Sequence, residues 1–329
     1  MLKIGNLKLK FNLILAPMAG VSDLPFRMLN RKFGAELAFV EMINCRSISY
    51  KSKRTQGMLS LHPKDKPLGV QLLGCEEQFI LKALDVLKTY KFDLLDFNAA
   101  CPAKKVVRRK EGAGLLKEPK KLSKLVKLVV KNSAVPVTLK IRTGWDKDCI
   151  NAREIALYAQ DAGAAGIFIH GRTKVQGYSG GVNYSAIREV KKVLSIPVIA
   201  SGDILSAQLA KKMLDETSCD GLVIARGSFG NPWIFREIKE FLNTGKLALR
   251  PDKDEIAKVM AGHLDASIDF YGERNGVVIF RKFFGWYTRG FRKIRPLREK
   301  VSRARTREEM QKIISRSAPA AAVSLPSAL

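Results

Sequence analysis

Residues 196–230, IPVIASGDILSAQLAKKMLDETSCDGLVIARGSFG, contain the pattern that decides the fold. This stretch begins and ends with short apolar runs, IPVIASGD from 196 and GLVIARG from 221. Each run is continuously apolar and does not alternate with polar residues, so each predicts a strand that is buried on both faces of a sheet. The motifs SGD and ARG place polar groups at the ends of these two strands.

Six further runs of the same kind precede this stretch. They are LILAPM from 13, LAFVEM from 37, PLGVQLL from 67, LLDFNAA from 94, VPVTLKIR from 135 and AGIFIHGR from 165. Helical patterns lie between the runs, for example in 118–131, where apolar residues recur with helical spacing. Eight strands that alternate with helices predict an α/β fold, a parallel (β/α)8 TIM barrel. A doubly wound open sheet is the alternative, but the GxGxxG motif expected after its first strand is missing.

The composition divides the chain into three parts. A barrel domain is predicted over 1–245, closed by a helix at 231–243. The segment 246–316 has helical periodicity without apolar strand runs, which predicts a small all-helical C-terminal domain. Residues 317–329 are uncharged and rich in Ala, Ser and Pro, a composition typical of a flexible tail.

Cysteine and histidine usage excludes several kinds of site. No cysteine pair has CxxC spacing and the three histidines are widely spread, so neither a metal site nor a disulfide framework is predicted. Unpaired cysteines are typical of a reducing cytoplasm. The apolar run before Pro17 is only about half a dozen residues long, too short for a signal peptide or a membrane span, so no membrane association is expected.

The net charge indicates a polyanionic partner. The chain has 58 Lys and Arg residues against 31 Asp and Glu residues, a formal charge of +27. An excess of this size favours nucleic acid over an acidic membrane, because no amphipathic anchor is evident. A surface of solvated lysines without a partner is the alternative.

The predicted catalytic face lies at the strand C-termini and the loops that follow them. The polar or small residues at these strand ends are Pro17, Met18, Ala19, Gln71, Cys101, Lys140, Arg142, His170, Ser201, Gly202, Asp203, Ala225 and Arg226. The loops after strands seven and eight bind phosphate in many barrels, so a phosphorylated cofactor is expected there. Lys140 would lie over the other end of that ligand, where a cation can stabilise a reduced flavin. Flavin mononucleotide is favoured, and a sugar phosphate is the alternative.

Six motifs in this order resemble the tRNA-dihydrouridine synthases, nearest their bacterial B-type branch, from residue 4 to about 290. They are APMAGVSDLPFR from 16, FNAACPAKKV from 97, VPVTLKIRTGW from 135, IHGRT from 169, IPVIASGDI from 196 and NPWIF from 231. The resemblance implies reduction of the C5–C6 bond of particular uridines in tRNA by FMN, which NADPH reduces again. Three positions depart from the family pattern, where glycine is common at Ala100 and Ala225 and asparagine is frequent at Ser201.

The resemblance also assigns roles to residues. Cys101 falls on the proton donor, and Asn98 on a residue that meets the flavin and the target base. The positions that fall on FMN contacts are Pro17, Met18, Ala19, Gln71, Lys140, His170, Ser201, Gly202, Asp203, Ala225 and Arg226. A cysteine thiol with a pKa of about 8.5 is mostly protonated at neutral pH, so Cys101 can act as a general acid. Lysines after it would lower this pKa if they pointed inward, but we expect them to point toward RNA phosphates.

Basic segments fit a tRNA substrate. Lys104 and Lys105 belong to a run of five cations just after Cys101, and KSKR at 51–54 follows the second strand. The segment 281–307 has eleven Lys and Arg residues against one Glu, a density that can bind RNA phosphates. The candidate contacts there are Arg292, Lys293 and Arg295, whereas Phe283, Phe284 and Trp286 are expected in a helix core. The uridine must leave its stack to reach a flavin, so base flipping is implied.

Two other functions remain open at this level. A barrel flavoenzyme that acts on a free pyrimidine, as dihydroorotate dehydrogenases do, would not need such a positive charge. An RNA-binding protein without catalysis would not need Cys101, Lys140 and His170. No protein partner is predicted, and a monomer is expected.

Overall fold

The computed structural model describes residues 1–50 and 52–317. Lys51 and the side chains of Lys53 and Arg54, which belong to the predicted basic run at 51–54, lie outside the described part. The predicted flexible tail lies outside it as well, apart from Ser317.

Eleven β-strands lie in the described residues. They are β1 (Leu2–Ile4), β2 (Leu7–Leu9), β3 (Leu13–Leu15), β4 (Leu37–Phe39), β5 (Ile43–Asn44), β6 (Leu68–Leu73), β7 (Leu94–Asn98), β8 (Val137–Arg142), β9 (Gly166–His170), β10 (Val198–Ser201) and β11 (Gly221–Ile224). Eight of them form a closed parallel barrel in the order β3, β4, β6, β7, β8, β9, β10, β11 and back to β3. The predicted (β/α)8 barrel is therefore confirmed, and the open doubly wound sheet is excluded.

The second predicted strand, LAFVEM, is interrupted in the structure. Its first part, β4, pairs with β6 through Ala38 opposite Leu68 and closes the barrel. The chain then leaves the sheet at 40–42 and returns as β5, where Ile43 pairs with Leu72.

The helices of the described residues surround the barrel and follow it. They are α1 (Leu24–Lys32), α2 (Cys45–Ser49), α3 (Lys53–Met58), α4 (Glu77–Leu87), α5 (Lys104–Arg108), α6 (Pro119–Asn132), α7 (Ala152–Asp161), α8 (Tyr184–Val193), α9 (Ala207–Thr217), α10 (Ile234–Thr244), α11 (Lys253–Tyr271), α12 (Glu273–Tyr287), α13 (Arg295–Arg303) and α14 (Arg307–Ser317). Two short 3-10 helices occupy Gly112–Lys117 and Arg226–Ser228. Within the described residues, no helix is long and apolar enough to cross a membrane.

Side chains alternate between the barrel lumen and the surrounding helices, as the two-residue period of a strand requires. On β7, Leu95 and Phe97 pack outward into the core between strands and helices, while Leu94 faces inward. Asp96 and Asn98 continue the inward set. Strands β9 and β10 repeat this change, from Phe168 to His170 and from Ile199 to Ser201, whereas β8 is already polar in the lumen at Thr138. This gradient puts a closed floor at one end of the barrel and a polar site at the other.

The floor is completed by the β1–β2 hairpin, which the sequence analysis did not predict. Leu2 pairs with Leu9, and Ile4 with Leu7, in an antiparallel ladder. Leu2, Ile4 and Leu9 are buried in one cluster with the lumen residues Phe39 and Phe168. The hairpin therefore closes the end of the barrel opposite the polar site.

The C-terminal helices share one continuous core with the barrel. The ring of Phe283 on α12 stacks on Phe26 of α1 with 5.6 Å between centroids. Trp233 at the start of α10 donates a hydrogen bond of 2.5 Å from Nε1 to Glu255 of α11. Phe283 and Phe284 are fully buried, so the expectation that they belong to a helix core is confirmed. Residues 253–317 are helical apart from short connections, as predicted.

Candidate active site

A cavity of about 460 Å³ lies at the C-terminal ends of the barrel strands. Its lining contains all eleven positions predicted to bind a cofactor, together with Asn98 and Cys101. Those eleven are Pro17, Met18, Ala19, Gln71, Lys140, His170, Ser201, Gly202, Asp203, Ala225 and Arg226. The parallel topology explains this convergence, because these positions lie in the C-terminal halves of the barrel strands or in the loops that follow them. Their individual roles stay predictions.

Loop 16–23 forms one wall of the cavity and is tied to the C-terminal helices. The loop turns on itself, since Ser22 N donates to the carbonyl of Met18 over 3.0 Å. Asp23 then caps α1 by accepting from Phe26 N over 3.0 Å. Lys282 of α12 donates from Nζ to the carbonyl of Gly20, and Tyr271 of α11 donates to Asp23 over 3.1 Å. The wall of the cavity is thus fixed in part from outside the barrel.

Two basic side chains, Lys140 and His170, face the cavity from β8 and β9. Among the described residues, Lys140 Nζ donates no hydrogen bond, and burial lowers the pKa of Lys140 to about 8 despite the attraction of nearby Asp96. Burial also lowers the pKa of His170 to about 2, and the cations Arg142 and Lys140 lower it further. His170 Nδ1 lies 3.3 Å from the hydroxyl of Ser201, while its buried Nε2 has no partner in the described residues. The site therefore offers the Lys140 ammonium and the Nε2 atom of a neutral His170 imidazole, neither of which has a hydrogen-bond partner in the described residues.

The other end of the cavity has the close backbone approach that a phosphate site requires. A Cβ at Gly227 would lie 2.1 Å from the carbonyl oxygen of Ile204, so only glycine fits there. Asp203 pairs with both Arg172 and Arg226, and the hydrogen bond from Arg172 is the main reason why the pKa of Asp203 is lowered. Arg226 is thus held at this end by a carboxylate, with about two fifths of its side chain exposed. Because its side chain is half-exposed, Arg226 can also reach a phosphate.

Cys101 is half-buried at the mouth of the cavity, directly after β7. Burial raises the pKa of the thiol, although the Ala103 backbone and the Arg142 guanidinium act in the opposite direction. Lys104 and Lys105, on α5, are exposed, and neither is among the charges that shift the pKa of the thiol. A thiol with a raised pKa is protonated at neutral pH, which suits a proton donor and not a nucleophile.

The loop that carries Cys101 is held by side chains from two neighbouring strands. Asn98 Oδ1 accepts from the backbone N–H groups of Ala100 and Cys101, both over 2.9 Å. Arg142 Nε donates to the carbonyl of Ala100 over 2.7 Å, and its Nη1 donates to the carbonyl of Gly177 over 2.8 Å. Arg142 therefore connects the loop after β7 with the loop after β9.

The structure does not place the predicted contacts of the C-terminal segment in the cavity. Arg292, Lys293 and Arg295 are exposed around the connection between α12 and α13. The preceding helix, α12, nevertheless packs on the wall of the cavity. Trp286 of α12 stacks on Phe229, which lines the cavity, with 4.0 Å between ring centroids and 7° between planes.

Sequence reasoning missed several residues of the cavity. Met42 lies in the break between β4 and β5, and Tyr178 lies at the mouth on the loop after β9, where it contacts Arg142 and Arg226 through its ring. Met42 is the last residue of the predicted run LAFVEM and could have been included on that ground, whereas Tyr178 lies far from a strand end and no sequence signal indicates it. Arg172 does not line the cavity but pairs with Asp203, which does, and its place after β9 in the IHGRT motif could have indicated it. The described residues also contain no group of three His, Cys, Asp or Glu side chains that could hold a metal ion.

Comparison with known proteins identifies the family. The model of the dihydrouridine synthase family matches residues 14–323. The chain belongs to this family. The predicted resemblance is thereby confirmed, and so is the prediction of an oxidoreductase.

The curated relatives are similar over most of their length. The tRNA-dihydrouridine synthase B of Pasteurella multocida is 40% identical over 289 residues, which cover 88% of this chain and 87% of that protein. That of Vibrio cholerae is 41% identical over 87% of this chain and 89% of its own. A probable tRNA-dihydrouridine synthase of Rickettsia prowazekii is 40% identical over 88% of this chain and 89% of its own.

Solved structures show the same fold at much lower identity. Histamine dehydrogenase from Rhizobium sp. 4-9 matches with a TM-score of 0.57 and 13% identity, over 80% of this chain and 50% of that one. An amine oxidase from Pseudomonas geniculata N1 matches with a TM-score of 0.57 and 14% identity, over 84% of this chain and 54% of that one. The chain spans about half the length of these two proteins, and the likeness concerns the barrel architecture.

Proposed function

We propose that this protein reduces particular uridines of tRNA to 5,6-dihydrouridine, with FMN in the barrel and NADPH as the reductant. One observation carries the proposal. A single cavity at the catalytic end of the barrel combines a partner-free ammonium, a neutral imidazole and a protonated thiol. Membership in the dihydrouridine synthase family supports the same reaction.

The cavity fits FMN. The phosphate would bind at the loops after β10 and β11, where Ser201, Gly202, Ala225 and Arg226 supply backbone N–H groups and a guanidinium. Lys140 Nζ and His170 Nε2, which have no hydrogen-bond partner in the described residues, would bind the polar edge of the flavin ring. Pro17, Met18, Ala19 and Gln71 would hold the ring from loop 16–23 and β6.

The reaction consumes one uridine, one NADPH and one proton, and gives one dihydrouridine and one NADP⁺. A bound FMN would supply the hydride chemistry: it would take hydride from NADPH and pass it to C6 of the uracil ring. Cys101 donates a proton from its thiol to C5, where negative charge develops, and solvent at the cavity mouth then reprotonates the thiolate. Burial keeps this thiol protonated near neutral pH, so it is ready to donate before the uridine arrives.

The basic surface would bind the tRNA. Lys104 and Lys105 stand beside Cys101 and would contact phosphates next to the flipped uridine. Arg292, Lys293 and Arg295 would bind a more distant part of the folded RNA, in a tRNA-binding C-terminal domain at 246–316. In this proposal the protein works as a monomer in the cytoplasm.

The decisive experiment is incubation of the purified full chain with FMN, NADPH and unmodified tRNA, followed by mass spectrometry of the nucleosides. We expect dihydrouridine in tRNA and none from free uridine or uracil. Reduction of a free pyrimidine without any reaction in tRNA would show a small-molecule flavoenzyme. Binding of tRNA with neither product, although FMN is bound and reduced by NADPH, would show an RNA-binding protein without this activity.

A further inference from the structure

We infer that Asp96 is a positioning residue, which holds the loop of Cys101 in place through a line of side-chain hydrogen bonds inside the barrel. The inference rests on the proposed function for its catalytic meaning. The hydrogen bonds on which it is built, however, are formed within this chain and do not depend on that function. Asp96 lies in the lumen on β7, below the cavity, and does not line it.

The line runs across three neighbouring strands. Register pairs Gln71 of β6 with Asp96 of β7, and Asp96 with Thr138 of β8. Gln71 Nε2 donates to Asp96 Oδ2 over 2.6 Å, and Thr138 Oγ1 donates to Asp96 Oδ1 over 2.7 Å. Both carboxylate oxygens are therefore occupied, and Asp96 has no freedom to turn.

The line continues from Gln71 to the loop. Asn98 Nδ2 donates to Gln71 Oε1 over 2.8 Å. Asn98 Oδ1 then accepts the N–H groups of Ala100 and Cys101, each over 2.9 Å. The side chains of Asp96, Gln71 and Asn98 thus connect the barrel lumen to the backbone of the proton donor.

The chemistry of the two ends fixes the direction of every bond between them. The Oδ2 atom of Asp96 accepts, so the nitrogen of the Gln71 amide must face it and the oxygen must face Asn98. Backbone N–H groups at Ala100 and Cys101 can only donate, so the oxygen of the Asn98 amide must face them. Both requirements give the same pair of amide orientations. Reversal of either amide would bring two donors or two acceptors together in a buried place, which is costly.

The charge of Asp96 is not what this arrangement needs. Burial raises the pKa of Asp96 to about 7, against hydrogen bonds from Gln71 and Thr138 that lower it. If the carboxyl is protonated on Oδ1 it can donate to Thr138, whose hydroxyl then turns toward the carbonyl of Leu95, 3.5 Å away. Oδ2 still accepts from Gln71. An amide at this position can do the same, with its oxygen toward Gln71 and its nitrogen toward Thr138.

Two variants of the full chain therefore separate positioning from charge. Asp96→Leu removes the acceptor for Gln71 and keeps the branched shape of the side chain, whereas Asp96→Asn keeps the acceptor and removes only the charge. Asp93→Asn is the matched control, because this carboxylate also accepts a hydrogen bond from the neighbouring strand, from Leu68 N over 2.7 Å, but before the start of β7.

The measurement is the rate at which iodoacetamide alkylates Cys101 as a function of pH, followed by mass spectrometry of the Cys101 peptide. It needs neither FMN nor tRNA, so its result stands even if the proposed function is wrong. We expect Asp96→Leu to speed alkylation about tenfold, on the scale of one lost hydrogen bond, and to move the profile toward that of an exposed thiol. Asp96→Asn and Asp93→Asn should match the wild type.

Activity supplies the second measurement, as a double-mutant cycle for uridine reduction with tRNA. Asp96→Leu should lower the rate in the wild-type background and have little further effect in a Cys101→Ala background, because both changes act on the same proton donation. If Asp96→Leu lowers the rate by the same factor in the wild-type and Cys101→Ala backgrounds, the inference is wrong. Unchanged alkylation in Asp96→Leu, or an Asp96→Asn variant as impaired as Asp96→Leu, would also overturn it. If Asp96→Leu does not fold, Gln71→Leu breaks the same line one residue closer to Cys101, and the alkylation result is expected to be the same.

Discussion

At the scale of single residues, burial decides which groups of the site are charged. Lys140 with a pKa of about 8 is mostly protonated at neutral pH, whereas His170 with a pKa of about 2 is neutral. The difference arises because the ordinary pKa of a lysine lies far above neutral pH and that of a histidine just below it, so burial leaves only the lysine charged. The sequence indicated both residues but could not predict their charges, which depend on surrounding atoms.

Lys140→Met tests the role of that charge. We expect the FMN affinity of the variant to fall about 10–100-fold, the value of one charge-assisted hydrogen bond of about 1.5–3 kcal/mol. Reduction by NADPH should also slow, since the cation no longer stabilises the reduced ring. Titration of the apoprotein with FMN and stopped-flow reduction measure the two effects. Lys124→Met, on the outer surface of α6, is the control, and equal FMN affinity in both variants would contradict the assignment.

At the scale of elements, the sequence predicted the barrel strands because their signal is repeated eight times. Each run is buried on both faces, and the helices between them have their own period. The β1–β2 hairpin was not predicted, because each of its strands has only three residues, too few for a recognisable alternating pattern. The end of β4 at Phe39 was not predicted, because the run LAFVEM continues the apolar pattern through Val40.

The site was predictable only where it coincides with strand ends. Gln71, Lys140 and His170 follow from the register of inward positions, whereas Tyr178 depends on the path of a loop. The burial of Asp96 could also have been predicted from the sequence. A carboxylate in the middle of the apolar run LLDFN must be buried, and a buried carboxylate needs hydrogen-bond partners.

The packing of α12 on the cavity wall at Phe229 can be tested with two glycines. Gly230 and Gly245 both have positive φ, +66° and +71°, so alanine is strained by about 1–2 kcal/mol at either position. Only at Gly230 would the new Cβ clash, lying 2.4 Å from the carbonyl carbon of Trp286. We expect Gly230→Ala to lower the melting temperature and the FMN affinity well beyond Gly245→Ala. Equal losses would show that this contact does not support the site.

The buried histidine between α1, α11 and α12 predicts a dependence of stability on pH. Burial lowers the pKa of His263 to about 3 from an ordinary value of 6.5, and its ring packs 4.3 Å from that of Phe283. Below pH 6.5 the unfolded chain takes up a proton that the folded chain does not, so stability falls as pH falls toward 3. One such group contributes up to about 1.4 kcal/mol per pH unit in this window.

We expect His263→Gln to make the fall in melting temperature with decreasing pH shallower. His170 contributes with the same sign, so part of the dependence should remain. His62→Gln, at an exposed histidine, should leave the slope as it is in the wild type. If the melting temperature of His263→Gln falls with decreasing pH as steeply as that of the wild type, the folded protein must accommodate the protonated ring.

At the scale of the whole molecule, the C-terminal helices carry a dense positive charge and also share a hydrophobic core with the barrel. Removal of 246–317 would expose Phe26 and Trp233, which the C-terminal helices cover. The contribution of this part to tRNA binding is therefore better measured on the full chain, by changing charge alone.

Replacement of Arg292, Lys293 and Arg295 with Ala should weaken tRNA binding and reduce its dependence on salt. Each lost phosphate contact is expected to reduce the slope of log K against log salt by about 0.7–0.9. KM for tRNA should rise more than kcat falls, because these residues lie outside the cavity. Replacement of Lys124, Lys127 and Lys131 of α6 with Ala removes the same charge from the outer surface of the barrel and serves as control. Equal effects in the two triple variants would assign the binding to net charge alone.

The most direct test of the central claim follows the flavin in a single turnover. The full chain with bound FMN is reduced by NADPH without oxygen, unmodified tRNA is added, and the flavin absorbance is recorded in the wild type and in Cys101→Ala. We predict that both proteins are reduced equally fast, and that tRNA reoxidises the wild type about 10²–10⁴-fold faster than the variant, the usual contribution of a general acid. Reoxidation by tRNA at the same rate in both proteins, or in neither, would contradict the account.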